Sequence, residues 1–356
     1  MKNIIHILLF LLFLTPLHAE SFEFKQLENK VTVLTDNGKP VWQYNGGLVA
    51  SPDVPTKDAR YLAGCYVHPL YGLHGEVLTD NAPKDHYHHH GVFWNWPHVA
   101  VTEPDGKVNQ FDVWTSNTRM KQLFVKQGEL KVEDGKATFT VENGWFIAGK
   151  VNEFKFDKDG NPLDEKVMSE TVTITTRPVV AETDSGETQL NSRAIDFHFV
   201  WTVGAKPITL RGAEGKSYGG LTVRFRPSGK KGIDTLITVP SGVAKDDLPD
   251  TPLEWADFTS LFKLDDNNKP TGLQTGATIF VPSTHPDYPP TWLTRYYGPL
   301  CIGWPGVKDR LFKPNEKFEL DYRIWIHDRK VSLDEIKVHG SSYNLQHLSK
   351  KLDAYY

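Results

Sequence analysis

The sequence predicts an all-β protein, a large antiparallel sandwich of two sheets finished by a short C-terminal helix. Three observations predict it. Apolar and polar residues alternate with a period of two over several long runs, turn-forming Asn-Gly and Asp-Gly pairs stand beside such runs, and helical periodicity is confined to the C-terminus.

The elements follow in chain order. "MKNIIHILLFLLFLTPLHAE" opens with one lysine, continues with an apolar run from Ile4 to Leu14, and passes Pro16 to the small residue Ala19. This pattern reads as a signal peptide over residues 1–19. Its apolar run is too short to span a bilayer, which takes about 20 residues. The expected mature chain is therefore an exported protein, periplasmic or secreted, with residues 20–356 forming a single sandwich domain and no membrane insertion after cleavage. Next, "VTVLT" and "KPVWQY" flank Asn37-Gly38, a pair that accepts the positive φ of a tight hairpin. Asp134-Gly135 and Asp159-Gly160 repeat the signal. In "AIDFHFVWTV", Ile195, Phe197, Phe199, Trp201 and Val203 alternate and put Asp196, His198 and Thr202 on the opposite face. "SETVTITT", "LTVRFR" and "FELDYRIWI" share the period, and Arg224 and Arg226 fall on one face. "DDLPDTPLEW" (246–255) reads as a long loop or minor boundary. At the end, Ser332 and Glu335 have capping-box spacing, and Leu345, Leu348 and Leu352 recur at helical intervals, as for a helix packed on a sheet.

Composition narrows the partners. A net charge of −4 with both signs interspersed offers no basic stripe, so nucleic acid is not an expected partner. Cys65 and Cys301 are the two cysteines, enough for one bridge in an oxidising compartment or for two buried thiols.

The densest chemistry is "DHYHHHGVFWNWPHV", residues 85–99. Imidazole suits proton transfer and metal binding alike, because its ordinary pKa lies near neutrality and its neutral form is a good ligand. On an extended segment His86, His88 and His90 would point one way and Asp85, Tyr87 and His89 the other. Alternate histidines of that kind clasp a divalent metal, with a further ligand from Asp112, His98, His198 or His285. Without metal, His86, His88, His89, Asp112 and His198 are the candidate acid/base residues. The bland alternative is a polar loop whose imidazoles bond only to backbone and water. Trp94 and Trp96 lie on one side of the same segment and are expected to stack on sugar, where other tryptophans fill the core. The proline-rich "HPDYPPTWLTRYYG" (285–298) is expected to be a surface loop forming a second wall, with His285, Trp292 and Arg295 as binding residues.

"DHYHHHGVFW", "FDVW", "YGGLTVRF", "HPDYPPTWLTRYYG" and "DYRIWIHD", in this order, resemble the DUF6807 family, often labelled PmoA-like or methane oxygenase. Tyr218 and Arg224 of the third motif join the candidate substrate-binding residues. The family pattern Asp-His-x-His-His-Arg-Gly is matched at Asp85, His86, His88, His89 and Gly91, while His90 replaces its arginine. The resemblance implies exported proteins of polysaccharide-degrading settings and a fold similar to the galactose-mutarotase supersandwich. The oxygenase label sits badly with a chain that has no spanning segment, since the methane-oxidising subunit it refers to spans a membrane repeatedly.

The leading expectation is an exported carbohydrate-active enzyme, a hydrolase, lyase or epimerase, with a sugar or oligosaccharide as partner. A non-catalytic carbohydrate-binding protein and a metal-dependent oxygenase are the alternatives. Paired-carboxylate glycosidase chemistry is less favoured, because no pair of acids stands out as the histidines do.

Overall fold

The computed structural model describes residues 22–115, 119–182 and 188–353; the predicted signal peptide lies outside them. Among the described residues, no helix is long and apolar enough to cross a membrane.

Two nine-stranded antiparallel sheets dominate. The first runs in space through Phe22–Leu27, Val31–Asp36, Lys39–Asn45, Tyr66–Leu70, Val92–Asn95, Gly220–Arg224, Pro299–Gly303, Thr291–Thr294 and Leu248–Pro252. The second runs through Met120–Glu133, Lys136–Ile147, Glu165–Glu182, Thr188–Val203, Lys317–His327, Thr275–Phe280, Trp255–Ser260, Leu236–Val239 and Gly242–Val243. A four-stranded sheet, Arg310–Phe312, Ile208–Arg211, His98–Thr102 and Val108–Phe111, stands beside them.

The turn signals explain much of this order. Asn37 and Gly38 take φ of 49° and 75° and join their two strands, and Asp134 and Gly135 do the same at 49° and 68°. Asp159-Gly160 turns too, but inside a loop that closes only the Phe156–Pro162 bridge. Residues 248–252, expected in a loop, form the outermost strand of the first sheet, a position where Pro249 and Pro252 cost no ladder bond.

The sheets pack face to face through aromatic rings. Trp42 meets Phe139 at 5.5 Å, Trp94 meets Phe199 at 4.8 Å, and Phe225 stacks on Phe258 at 4.7 Å. The carboxyl group of Glu170 lies within this apolar layer. Glu170 shares its face with Val172 and Ile174 and is 0% exposed. Its oxygens accept from Gln122 (2.9 Å), Asn143 (2.8 Å), Trp145 (3.1 Å) and Trp201 (2.8 Å). Burial without strain follows from that complete pairing.

The helix Leu333–Asp353 is capped as expected, with the Glu335 N–H donating to Ser332 Oγ at 3.2 Å. It does not bury the expected face. Ile336, Gly340, Tyr343 and His347 pack inward, while Leu345 and Leu352 are 70% and 59% exposed. The reason is the clasp below it. Asp321, on the outer face of the second sheet, accepts from His198 Nδ1 at 2.8 Å and from His347 Nε2 at 3.0 Å, tying helix to sheet. Burial alone would raise the Asp321 carboxyl; the two imidazole hydrogen bonds overcome it and hold the group well below the carboxylate range. The Asp321 hydrogen bond in turn raises His198.

That clasp has a testable sign. A histidine raised in the folded state contributes stability fully below its ordinary value near 6.5, and loses it as pH rises through the raised value. Amide exchange in residues 343–353 is expected to quicken as pH rises above about 6.5. Asp321→Asn should exchange fast throughout. Exchange independent of pH in the parent, after correction for intrinsic rates, would remove the clasp from this account.

Candidate active site

The histidine segment turns where an extended strand was expected. The His86 N–H donates to the Pro83 carbonyl at 2.8 Å, the His89 N–H to the His86 carbonyl at 3.0 Å, and Ala82 N–H to the His89 carbonyl at 2.7 Å. Local backbone bonds thus consume the groups a ladder would use, and the period of two does not apply. Gly91 (φ +61°) ends the turns against Val67, whose carbonyl oxygen would lie 2.2 Å from any added Cβ. Only glycine lets strand Val92–Asn95 begin that close to its neighbour.

The consequence is a ring stack on the outer face of the first sheet. His86 and His89 lie parallel, centroids 4.7 Å apart and planes at 11°, and His88 stands edge-on to His89 at 4.6 Å. On its other side His86 stacks on Tyr297 at 5.0 Å. Phe93 and Trp114 support the stack from the sheet, at 5.8 and 5.9 Å from His89. Tyr297 arrives from far along the chain, at the tip of the hairpin joining Thr291–Thr294 to Pro299–Gly303. The Arg295 carbonyl accepts from the Gly298 N–H at 2.9 Å to close that turn.

Charge is distributed unevenly. Asp85 accepts from His86 Nδ1 at 2.8 Å and, more loosely, from Arg224 Nη2 at 3.2 and 3.3 Å. The Tyr297 hydroxyl lies 3.5 Å from His86 Nε2, the outer limit of a hydrogen bond, and the Tyr297 ring covers the Arg224 guanidinium at 4.8 Å. Burial, reinforced by positive neighbours, pushes His88 down to about 4 and His89 well below the imidazole range. Both are neutral proton acceptors near neutral pH. Burial pushes the Tyr297 phenol up to about 12, so it holds its proton. The site therefore combines neutral bases, a protonated acid and a buried guanidinium.

A model of the family described as "Family of unknown function (DUF6807)" matches residues 31–340, which include every residue of this stack. The chain belongs to the DUF6807 family. No functionally curated protein matches it. A solved polysaccharide lyase is similar over 81% of this chain and 33% of its own length, at 10% identity and a TM-score of 0.27. The chain thus spans about a third of that lyase.

In this DUF6807 protein several expected site residues lie elsewhere. Trp94, Trp96 and Trp292 are 0% exposed between the sheets and present no face to a sugar. Trp292 belongs to a ladder strand, so the proline-stiffened loop ends at Pro290. His198 sits in the helix clasp, across the sandwich from the stack. His285 is buried beside Trp304 and Tyr322, with burial pushing it down to about 3. Arg295 pairs with Asp247 at 3.2 Å. Asp112 caps its own turn by accepting from the Thr115 N–H at 2.8 Å, and its charge adds to the burial that raises the Tyr218 phenol. Tyr218 itself packs on Trp114 at 4.7 Å, close to the stack.

The metal expectation is also corrected. His90 turns away from His86 and His88, bonding Asn81 at 2.8 Å through Nδ1. In the remaining trio, the stacked pair sends its in-plane lone pairs along parallel planes, which do not meet at one ion. Among the described residues no three His, Cys, Asp or Glu side chains are arranged to hold a metal. Cys65 and Cys301 are both free, buried thiols. Among the described residues, a cavity of about 360 Å³ lies under the helix beside His198 and one of about 20 Å³ beside His90, and neither is lined by His86, His88 or His89.

Tyr297 and Asp85 were not singled out from the sequence. Asp85 belongs to the quoted motif, but an extended strand would set it on the face of His89, away from His86. Tyr297 carried a local signal in "RYYG", where Gly298 (φ +130°) marks a tight turn that exposes the preceding side chain.

Proposed function

We propose that this protein is an exported carbohydrate-active enzyme that moves protons at the His86, His88, His89 and Tyr297 stack, residues 20–356 acting as one domain. The observation that carries the reading is the juxtaposition of two neutral buried imidazoles with a protonated phenol and a guanidinium within one contact shell. His89 or His88 takes a proton from the bound sugar. Tyr297 supplies one to the departing oxygen or the opposite face, and Asp85 orients His86 through Nδ1. Elimination or epimerisation suits this set better than glycosidase hydrolysis. Among the described residues Asp85 is the carboxylate hydrogen-bonded to the stack, and it is already shared between His86 and Arg224. Half-buried Tyr218, packed on Trp114 beside the stack, is aromatic surface for a pyranose, which supports a sugar over a smaller acid.

Turnover of defined neutral and acidic oligosaccharides by the purified chain tests this. His89→Ala is expected to lower kcat by roughly 10²–10⁴-fold while leaving ligand affinity nearly unchanged. Ligand bound by the parent with no product formed would favour a carbohydrate-binding protein. Full activity in the variant would remove His89 from the chemistry.

A further inference from the structure

We infer that the ligand of this site carries a carboxylate, as a uronic acid does, and that Arg224 selects it. The inference rests on the acid/base reading above and narrows it to an acidic sugar. Arg224 is 4% exposed, yet its guanidinium donates only through Nη2, to Asp85. Nε and Nη1 are buried and have no acceptor, and the same is true of Nδ1 of His88 and of His89 beside them. Unmade hydrogen bonds of a buried cation are among the more costly defects a fold can carry, and native proteins rarely keep them without use.

The sheet itself does not call for this arginine. It ends strand Gly220–Arg224, and its backbone N–H and carbonyl are satisfied by Gly91 and Asp80. Asp85 is a poor permanent partner. Its contacts with Arg224 are long, its side chain is 48% exposed, and its shorter bond goes to His86. A ligand carboxylate brings what is missing: a planar pair of acceptor oxygens with a full charge, which a guanidinium matches in shape and a hydroxyl does not. Arg224 is near enough to His88 and His89 for its charge to help lower both imidazoles. Tyr297, 38% exposed at its hairpin tip, covers the guanidinium and is the side chain that must yield when the ligand arrives.

Calorimetric titration of the full chain tests this with four probes: a uronate oligosaccharide, its methyl ester, its carboxyl-reduced neutral counterpart, and that counterpart bearing O-sulfate. The acid is expected to bind roughly 10–100-fold more tightly than the ester and the reduced sugar. Arg224→Lys and Arg224→Gln should shrink the difference in affinity between the acid and the ester. The ester comparison needs no variant, so a folding defect at Arg224 does not obscure the result. Equal binding of acid, ester and neutral sugar overturns the selection by Arg224 while leaving the acid/base reading intact. Preference for the sulfated probe overturns it as well. If none of the four binds, the inference falls together with the proposed function.

Discussion

Glu170→Ala is expected to leave the protein without a cooperative unfolding transition. Gln122 keeps the Trp94 carbonyl at 3.2 Å, but Asn143 Nδ2, Trp145 Nε1 and Trp201 Nε1 lose their acceptor in a buried layer. Each orphaned donor costs about 1–3 kcal/mol, and the cavity adds to the sum. Three together approach the ~5–15 kcal/mol that holds a typical domain folded. Glu170→Gln keeps one acceptor oxygen and sets an N–H₂ group against the remaining donors, so it should fall between variant and parent. Urea titration followed by tryptophan fluorescence reads this directly. A Glu170→Ala midpoint equal to the parent's would mean that the four bonds contribute little.

The second large effect is acid instability. His68 and His88 are pushed down to about 4, His90 and His285 to about 3, and His89 well below its ordinary value, in each case chiefly by burial. In the unfolded chain these groups titrate near 6.5, so below that value the unfolded state binds more protons than the folded state and stability falls with pH. The loss runs from about pH 6.5 to about 4, where the folded groups begin to titrate themselves. Each imidazole contributes up to ~1.4 kcal/mol per pH unit, so even two acting fully are worth about 3 kcal/mol per unit. Lower still, carboxylates such as Asp58, held down to about 2 by Arg60, add their own loss. Melting temperature should drop steeply between pH 6.5 and 4.5, and His90→Gln should reduce the slope. A flat profile across that interval would show these imidazoles to be solvated.

What the sequence revealed was set by local rules, and what it hid was set by distant ones. Asn37-Gly38 and Asp134-Gly135 announce their hairpins because positive φ is a property of two adjacent residues. The alternation at 195–203 correctly separates Asp196 and His198 from the core for the same reason. Trp94 and Trp96 do share a face, but their own segment does not say whether that face meets solvent or the second sheet. The leucines of the C-terminal helix obey helical spacing, yet the buried face was chosen by Asp321, on another element, which holds His347 of the helix. At 85–91 the chain had two local options, and turns won over a strand because Pro83, His86 and Ala82 supply the backbone bonds. Tyr297 joins His86 only through a contact spanning most of the sequence. Glu170 was legible in part: period two places it beside Val172 and Ile174, a carboxyl group where the pattern calls for a hydrocarbon.

That buried carboxyl group also answers a question that alternation leaves open. The strands Glu165–Glu182 and Thr188–Val203, of 18 and 16 residues, are long enough to pair in several alignments. A slip of one residue turns every apolar side chain to the wrong face, but a slip of two returns them all to the core. Hydrophobic burial is nearly blind to the second error. Glu170 is not, because a two-residue shift moves its oxygens by about 6.5 Å, beyond reach of Asn143 on one neighbour and Trp201 on the other. One polar residue thus makes a single alignment distinguishable among near-equivalent ones, which is a contribution to uniqueness separate from its contribution to stability.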